Sequence, residues 1–208
     1  MRRTARLNLG ALVVTLAALA TAACGGDSAD TTPPATSSTE PDTASSPSTA
    51  PTPSTAPPML GNALALTELD GWLQSDVTSL EELRGQVVIV QFWTFGCSSC
   101  KAVLPEMQQI YAGYSNDGLE IVGVHSPEFT YEEDPEAILT AARELGVTWP
   151  IALDTDRRNF HAWQGGRAYW PRTYVLDKSG LIRYDNIGGF PYEDLEETVV
   201  ALLAEPQS

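Results

Sequence analysis

Cys97 and Cys100 stand three residues apart in "FWTFGCSSCK", residues 92–101. Thiols at that spacing can bind a metal, close a small disulfide ring, or cycle between dithiol and disulfide. The chain has one other cysteine, Cys24 near its start, so everything from residue 59 onward shares this single pair. Two cysteines scattered through such a stretch would fall three apart about one time in a hundred, so chance explains the spacing poorly. A structural zinc needs four ligands. Only His125 and His161 could join the cysteines, and they lie far apart in sequence, on different elements. No metal is therefore expected. A disulfide closing so short a ring removes little entropy from the unfolded chain, so the pair makes a poor staple. Redox cycling accounts for more of the surrounding sequence, and it needs no cofactor because the sulfurs carry the electrons.

The neighbouring elements place those sulfurs. "QVVIVQFW" (86–93) is short, apolar and rich in β-branched residues, which predicts a buried strand. A short loop leads into a helix that begins at Cys97, with Val103, Leu104, Met107, Ile110, Tyr111 and Tyr114 on one face. Pro105 lies inside that helix and is expected to kink it. A thiol in a first helical turn meets unpaired N–H groups and the positive end of the dipole, and both favour the nucleophilic thiolate. The end of a parallel strand is also where α/β sheets gather their chemistry. Cys97 is thus the expected exposed attacker, and Cys100, one turn on, the more buried resolving thiol. Lys101 adds a positive charge, and Ser98 and Ser99 are expected to cap free amides and help set the redox poise.

Further along, "LEIVGVH" (119–125) predicts a second buried strand. Asp134 and Pro135 make a helix start, and Gly146 ends that helix. "WPIALD" (149–154) predicts a third strand, and a short helix follows near 156–163. "RTYVLD" and "LIRYD" around the turn "KSG" predict a hairpin, and a last helix is expected from about 192 to 204. Strand–helix–strand–helix–strand demands parallel pairing with crossover helices, and the chain end adds antiparallel strands and a closing helix. No internal repeat suggests a solenoid.

The chain divides into three by composition. Residues 1–24 carry three arginines, no acid, and an uncharged run too short to span a bilayer. Thr21, Ala22 and Ala23 lead into Cys24, and this segment resembles the lipobox of bacterial lipoproteins, where the cysteine carries the lipid. Thr21 stands where the lipobox usually has Leu, which leaves ordinary secretion as the alternative. Residues 25–58 hold 15 Ser or Thr and 8 Pro in 34 positions, with no Val, Ile, Leu, Met or aromatic residue, and predict a disordered linker. Residues 59–208 form the one domain large enough to bury a core. They carry 9 basic and 23 acidic residues, so nucleic acid is not an expected partner and anionic membrane suits this surface poorly. The expected location is extracytoplasmic, with membrane attachment through lipid on Cys24. That setting allows disulfides to form.

"VVIVQFWTFGCSSCKAVLPEM" resembles the active-site segment of the thioredoxin superfamily, in its extracytoplasmic TlpA/ResA-like branch. The resemblance extends to the C-terminal thioredoxin-like domain of DipZ-type cytochrome c biogenesis proteins. Those domains share a W-T-x-x-C-x-x-C site, here Trp93 to Cys100. They also share a "GVH-[ST]-PEF" loop and a "YWP" segment, here Gly123 to Phe129 and Tyr169 to Pro171. It covers about Leu66 to Leu203. It implies an α/β thioredoxin-like fold, a mixed central sheet flanked by helices. A helical insertion would follow the second core strand, and a C-terminal hairpin plus helix would close the fold. Cys97 and Cys100 become the catalytic pair, supported by Trp93, Thr94, Gly96, Ser98 and Ser99. Pro171 is implied to be cis and next to the pair, with Trp170 before it where many relatives have Thr or Val. Gln91 stands where thioredoxins carry a buried proton-accepting Asp and cannot do that job. Glu128 is the expected substitute, a carboxyl in a partly apolar cleft with a raised pKa. His125 either tunes the thiolate from the same cleft or is a hydrogen-bonded structural histidine.

The expected function is a membrane-tethered thiol–disulfide oxidoreductase, a monomer acting on cysteine-containing exported proteins, with apocytochrome c one candidate. DipZ-type proteins carry an electron-transferring membrane domain of their own, so a separate membrane redox partner of the CcdA/DsbD type is expected here. Two other readings stay open. Thr94 and Cys97 match the T-x-x-C of peroxiredoxins, a thiol peroxidase, although Val90 stands where that motif has Pro. A copper or haem-delivery module could use the same thiols.

Overall fold

The computed structural model describes residues 56–167, 169–189 and 192–206. The segment 1–24 with Cys24, and the linker up to residue 55, lie outside the described residues. Among the described residues no helix is long and apolar enough to cross a membrane.

The fold is an α/β thioredoxin-like fold, built on a seven-stranded mixed sheet in the order β1-β7-β6-β3-β4-β5-β2. At its centre runs β3, Val87–Trp93, every residue of it buried. Its partner β4, Leu119–His125, pairs with it in parallel, Val87 opposite Leu119 and Trp93 opposite His125. On the other side β6, Arg172–Leu176, runs antiparallel to β3 and turns back into β7, Leu181–Ile187. β5, Ile151–Leu153, continues the parallel half. Two short strands seal the edges antiparallel: β1, Gly61–Asn62, on β7, and β2, Gly71–Leu73, on β5.

A strand buried on both faces alternates its side chains between two cores. Val87, Ile89 and Trp93 enter the core shared with helices α1 (Ser98–Tyr114), α2 (Pro135–Glu144) and α4 (Leu195–Ala204). Val88, Val90 and Phe92 enter the opposite core, where Phe160 of α3 (Arg158–Gln164) and Leu80 and Leu83 meet them. Each fully buried aliphatic side chain contributes roughly 1.5–3 kcal/mol relative to exposure, which explains why the unbroken apolar run of β3 is the spine.

Several boundaries differ from the sequence reading. The last helix starts at Leu195 rather than 192, because Tyr192 is a separate buried anchor whose hydroxyl meets Gln91 and Thr173. The strand expected over 149–154 shrinks to Ile151–Leu153. Pro150 has no N–H for a ladder, although its carbonyl accepts from Gly123 N. β1 and β2 were not separately anticipated, and at two and three residues they are too short to leave a period-two signal. The helical insertion is α2, capped by Asp134, whose side chain accepts from Glu136 N.

Candidate functional site

The two sulfurs sit where β3 ends and α1 begins. Cys97 is the N-cap of α1, extended at φ −70° and ψ 118°, and its own sulfur accepts from Cys100 N at 3.2 Å. That sulfur, and not the exposed Ser98 or Ser99, caps the helix. Serine would be the usual capping residue, but here the cap position itself belongs to the cysteine. Cys97 is half-buried, while Cys100 is completely buried against Val103, Leu104 and Met107. Both are free thiols.

Their electrostatics diverge. The Cys97 pKa is lowered to about 7, chiefly by a hydrogen bond from the Cys100 thiol, helped by the backbone of Cys100 and Ser99. Partial burial and the Glu128 charge work against that drop. Cys100 is pushed far up, first by burial and then by the same thiol–thiol hydrogen bond. One thiol is thus poised to ionise near neutrality while its neighbour holds its proton, a division that suits an attacking and a resolving thiol.

The opposite wall is the Trp170–Pro171 loop, and this peptide bond is cis. The Cys97 thiol faces the Trp170 carbonyl at 3.8 Å. Trp170 is held from behind: its ring stacks on Phe160 at 4.3 Å, and its Nε1 donates to Ser126 O at 2.9 Å. Ser126 in turn donates to the buried Asp154 carboxylate, which also accepts from Asn159 and Phe160 at the start of α3. Pro171 is buried, and its carbonyl accepts from Gly188 N.

One of the expected site residues stands elsewhere than the sequence reading put it. Glu128 is exposed, not held in an apolar cleft. The buried carboxylate is that of Glu132, four residues on and fully buried. Its Oε1 accepts from Gly96 N at 2.9 Å, and its Oε2 from Glu128 N at 2.6 Å and Phe129 N at 3.0 Å. One carboxylate thereby ties the cysteine loop to the β4–α2 connection. It also explains Gly96, since a Cβ there would lie 2.0 Å from Glu132 Oε1. His125 is buried between Phe95, stacked at 5.7 Å, and Trp93, edge-on at 5.5 Å. Neither ring nitrogen has a hydrogen-bond partner among the described residues. Burial lowers its pKa to about 4 and keeps it neutral. Thr94 is buried beside the pair with its carbonyl accepting from Cys97 N, and its hydroxyl has no partner among the described residues. Gln91 donates to Tyr192, and Tyr192 shares a hydrogen bond with Thr173.

Sequence reasoning missed Glu132 and the Ser126–Asp154–Asn159 brace. Glu132 is one of four acids in "EFTYEED", and nothing in composition or spacing separates the one that turns inward. Among the described residues no group of three or more His, Cys, Asp or Glu side chains is arranged to hold a metal ion.

A family model, the AhpC/TSA family, matches residues 61–185. DipZ of Mycobacterium bovis is 35% identical over 147 residues, which are 69% of this chain and 21% of DipZ, so the chain spans about a fifth of that relative. The thiol-disulfide oxidoreductase YkuV of Bacillus subtilis is 32% identical over 142 residues, 68% of this chain and 94% of YkuV. A thioredoxin-like protein solved in its oxidised form is 33% identical, with a TM-score of 0.58 over 72% of this chain and 96% of that one.

Proposed function

The chain belongs to the AhpC/TSA family, and from that premise we propose that it is a thiol–disulfide oxidoreductase of the ResA/TlpA kind working in the reducing direction. Cys97 thiolate attacks one sulfur of a substrate disulfide, forms a mixed disulfide and releases the other substrate sulfur as thiolate. Cys100 then gives up its proton and attacks the Cys97 sulfur, releasing the second substrate thiol. The substrate gains two electrons from the pair, one proton that Cys100 gives up and a second from solvent, and Cys97–Cys100 ends as a disulfide. A dithiol donor must reduce that disulfide before the next cycle.

The observation that carries the exchange is the geometry of the pair, a half-buried sulfur at the N-cap of α1 and a fully buried partner one turn on, and the lowering of the Cys97 pKa to about 7, no further, supports the reducing direction. A strongly oxidising pair stabilises its thiolate far more, with a nucleophile pKa of about 3.5, whereas that of the reductant thioredoxin sits near 7. The exported-protein reading rests on the N-terminal sequence: a signal-like segment ending at Cys24, then a Ser/Thr/Pro-rich linker. On this reading the domain is tethered outside the cytoplasm through lipid on Cys24. Its substrates are exported cysteine proteins, apocytochrome c among them, and a membrane dithiol donor of the CcdA/DsbD type recycles it. The test is the equilibrium reduction potential of Cys97–Cys100, read by thiol alkylation across graded redox buffers. A value below about −240 mV is expected. A value above about −150 mV would make the protein an oxidant and overturn the direction.

A further inference from the structure

The β4–α2 connection carries two aromatic side chains that the exchange step does not use. Phe129 is 52% exposed and Tyr131 61%, and their rings stack at 5.7 Å with only 8° between planes. Tyr131 also packs edge-on against Phe95 at 6.0 Å, two residues before the attacking cysteine. Its hydroxyl lies 2.6 Å from where a Gly96 side chain would begin. Together the rings make an apolar lip at the mouth of the dithiol site. This lip is not a loose loop tip. The buried Glu132 carboxylate accepts from the amides of Glu128 and Phe129 and, with its other oxygen, from Gly96. Exposed aromatic area held rigid on a buried support gains nothing inside the fold, and it is the kind of surface that protein recognition exploits at low entropic cost.

Charge narrows the occupant. The same connection and the first turn of α2 bear exposed Glu128, Glu133, Asp134 and Glu136, and no Lys or Arg occurs from Ser126 to Ala142. A second copy would bring the same acids onto a chain of net charge −15. The linker 25–58 has four acids, no cation and no large apolar side chain, so it complements neither the charge nor the rings. We propose that Phe129 and Tyr131 are the docking lip for the polypeptide substrate, and that they select an extended segment whose cysteine is flanked by apolar and basic side chains. The inference rests on the exchange reading above and adds to it the recognition that brings substrate to Cys97.

The test uses the full chain in its dithiol form, two internally disulfide-bonded peptides of equal length, and the neutral small disulfide hydroxyethyl disulfide as reference. One peptide flanks its cysteines with Leu and Lys, the other with Ser and Asp. The Leu/Lys peptide is expected to react about tenfold faster or more, with an advantage that shrinks as salt is raised. In Phe129→Ser the ratio of Leu/Lys peptide rate to reference rate should fall about tenfold, and Phe129→Leu should restore it to within about twofold. An unchanged ratio in Phe129→Ser, or a preference for the Ser/Asp peptide, overturns the lip. So does a dimer in sedimentation that Phe129→Ser dissociates, which would make the lip an interface between copies. Wild-type protein that fails to react even with the reference disulfide would instead bring down the exchange reading, and the lip with it.

Discussion

The hairpin β6–β7 has two ends, and they are built on opposite terms. At its turn, buried Arg183 donates to Asp177, to both oxygens of Glu205 and to the carbonyl of Pro57. Asp177 also accepts from the Ser179 amide and hydroxyl and from Leu181 N. Every charged group there has its partners. At the other end, where the Trp170–Pro171 peptide meets the Cys97 sulfur, buried polar atoms go without. Trp93 Nε1, Thr94 Oγ1 and both nitrogens of His125 have no partner among the described residues. Unpaired buried polar groups each cost roughly 1–3 kcal/mol. The fold thus locks the hairpin turn, the Pro57 carbonyl and the end of α4 into one ionic knot, and leaves four buried polar atoms near the thiols without a partner among the described residues. Functional sites are where local rules of satisfaction are expected to break.

The largest test of that contrast is at the reactive end. Cys97→Ser should lower the reduction of insulin disulfides about a thousandfold or more while leaving the unfolding midpoint in urea nearly unchanged. If exchange survived, Cys97 would not be the attacker. The matching change at the knot should do the reverse. Arg183→Ala leaves Asp177 buried without its cation and should cost about 3–5 kcal/mol of stability. The alkylation midpoint of Cys97 should stay near pH 7 in that variant. A stability loss within experimental error would show the knot to be ornamental.

His125 sharpens the contrast from the site side. Its buried ring is neutral in the fold, with a pKa lowered to about 4 by burial from an ordinary 6.5. Between those values the unfolded chain binds more protons than the folded one, so stability falls as pH drops from about 6.5 to about 4. The loss attributable to this ring is at most about 3 kcal/mol. Urea unfolding across that window should be flatter in His125→Phe than in the wild type. Equal slopes would mean that the ring finds a proton partner in the folded state.

The amino-acid sequence determined the parts that are local. The apolar run 86–93 forces a buried strand because no other element hides so many β-branched residues. Cys97 and Cys100 are fixed one turn apart because the helix starting there has the geometry of any α-helix. Asp134–Pro135 marks a helix start through side-chain and ring chemistry that needs no neighbours. The tertiary structure alone decided which acid matters. Glu128 and Glu132 are chemically the same side chain in the same acidic loop. Only the packing of the β4–α2 connection against the cysteine loop turns Glu132 inward, onto the amides of Gly96, Glu128 and Phe129, and leaves Glu128 outside. The brace from Asp154 through Ser126 to Trp170 was hidden for the same reason, since it joins three loops distant in sequence. Local patterns follow from the backbone's own periodicities. A buried carboxylate's role depends on which unpaired amides the fold brings within about 3 Å of it.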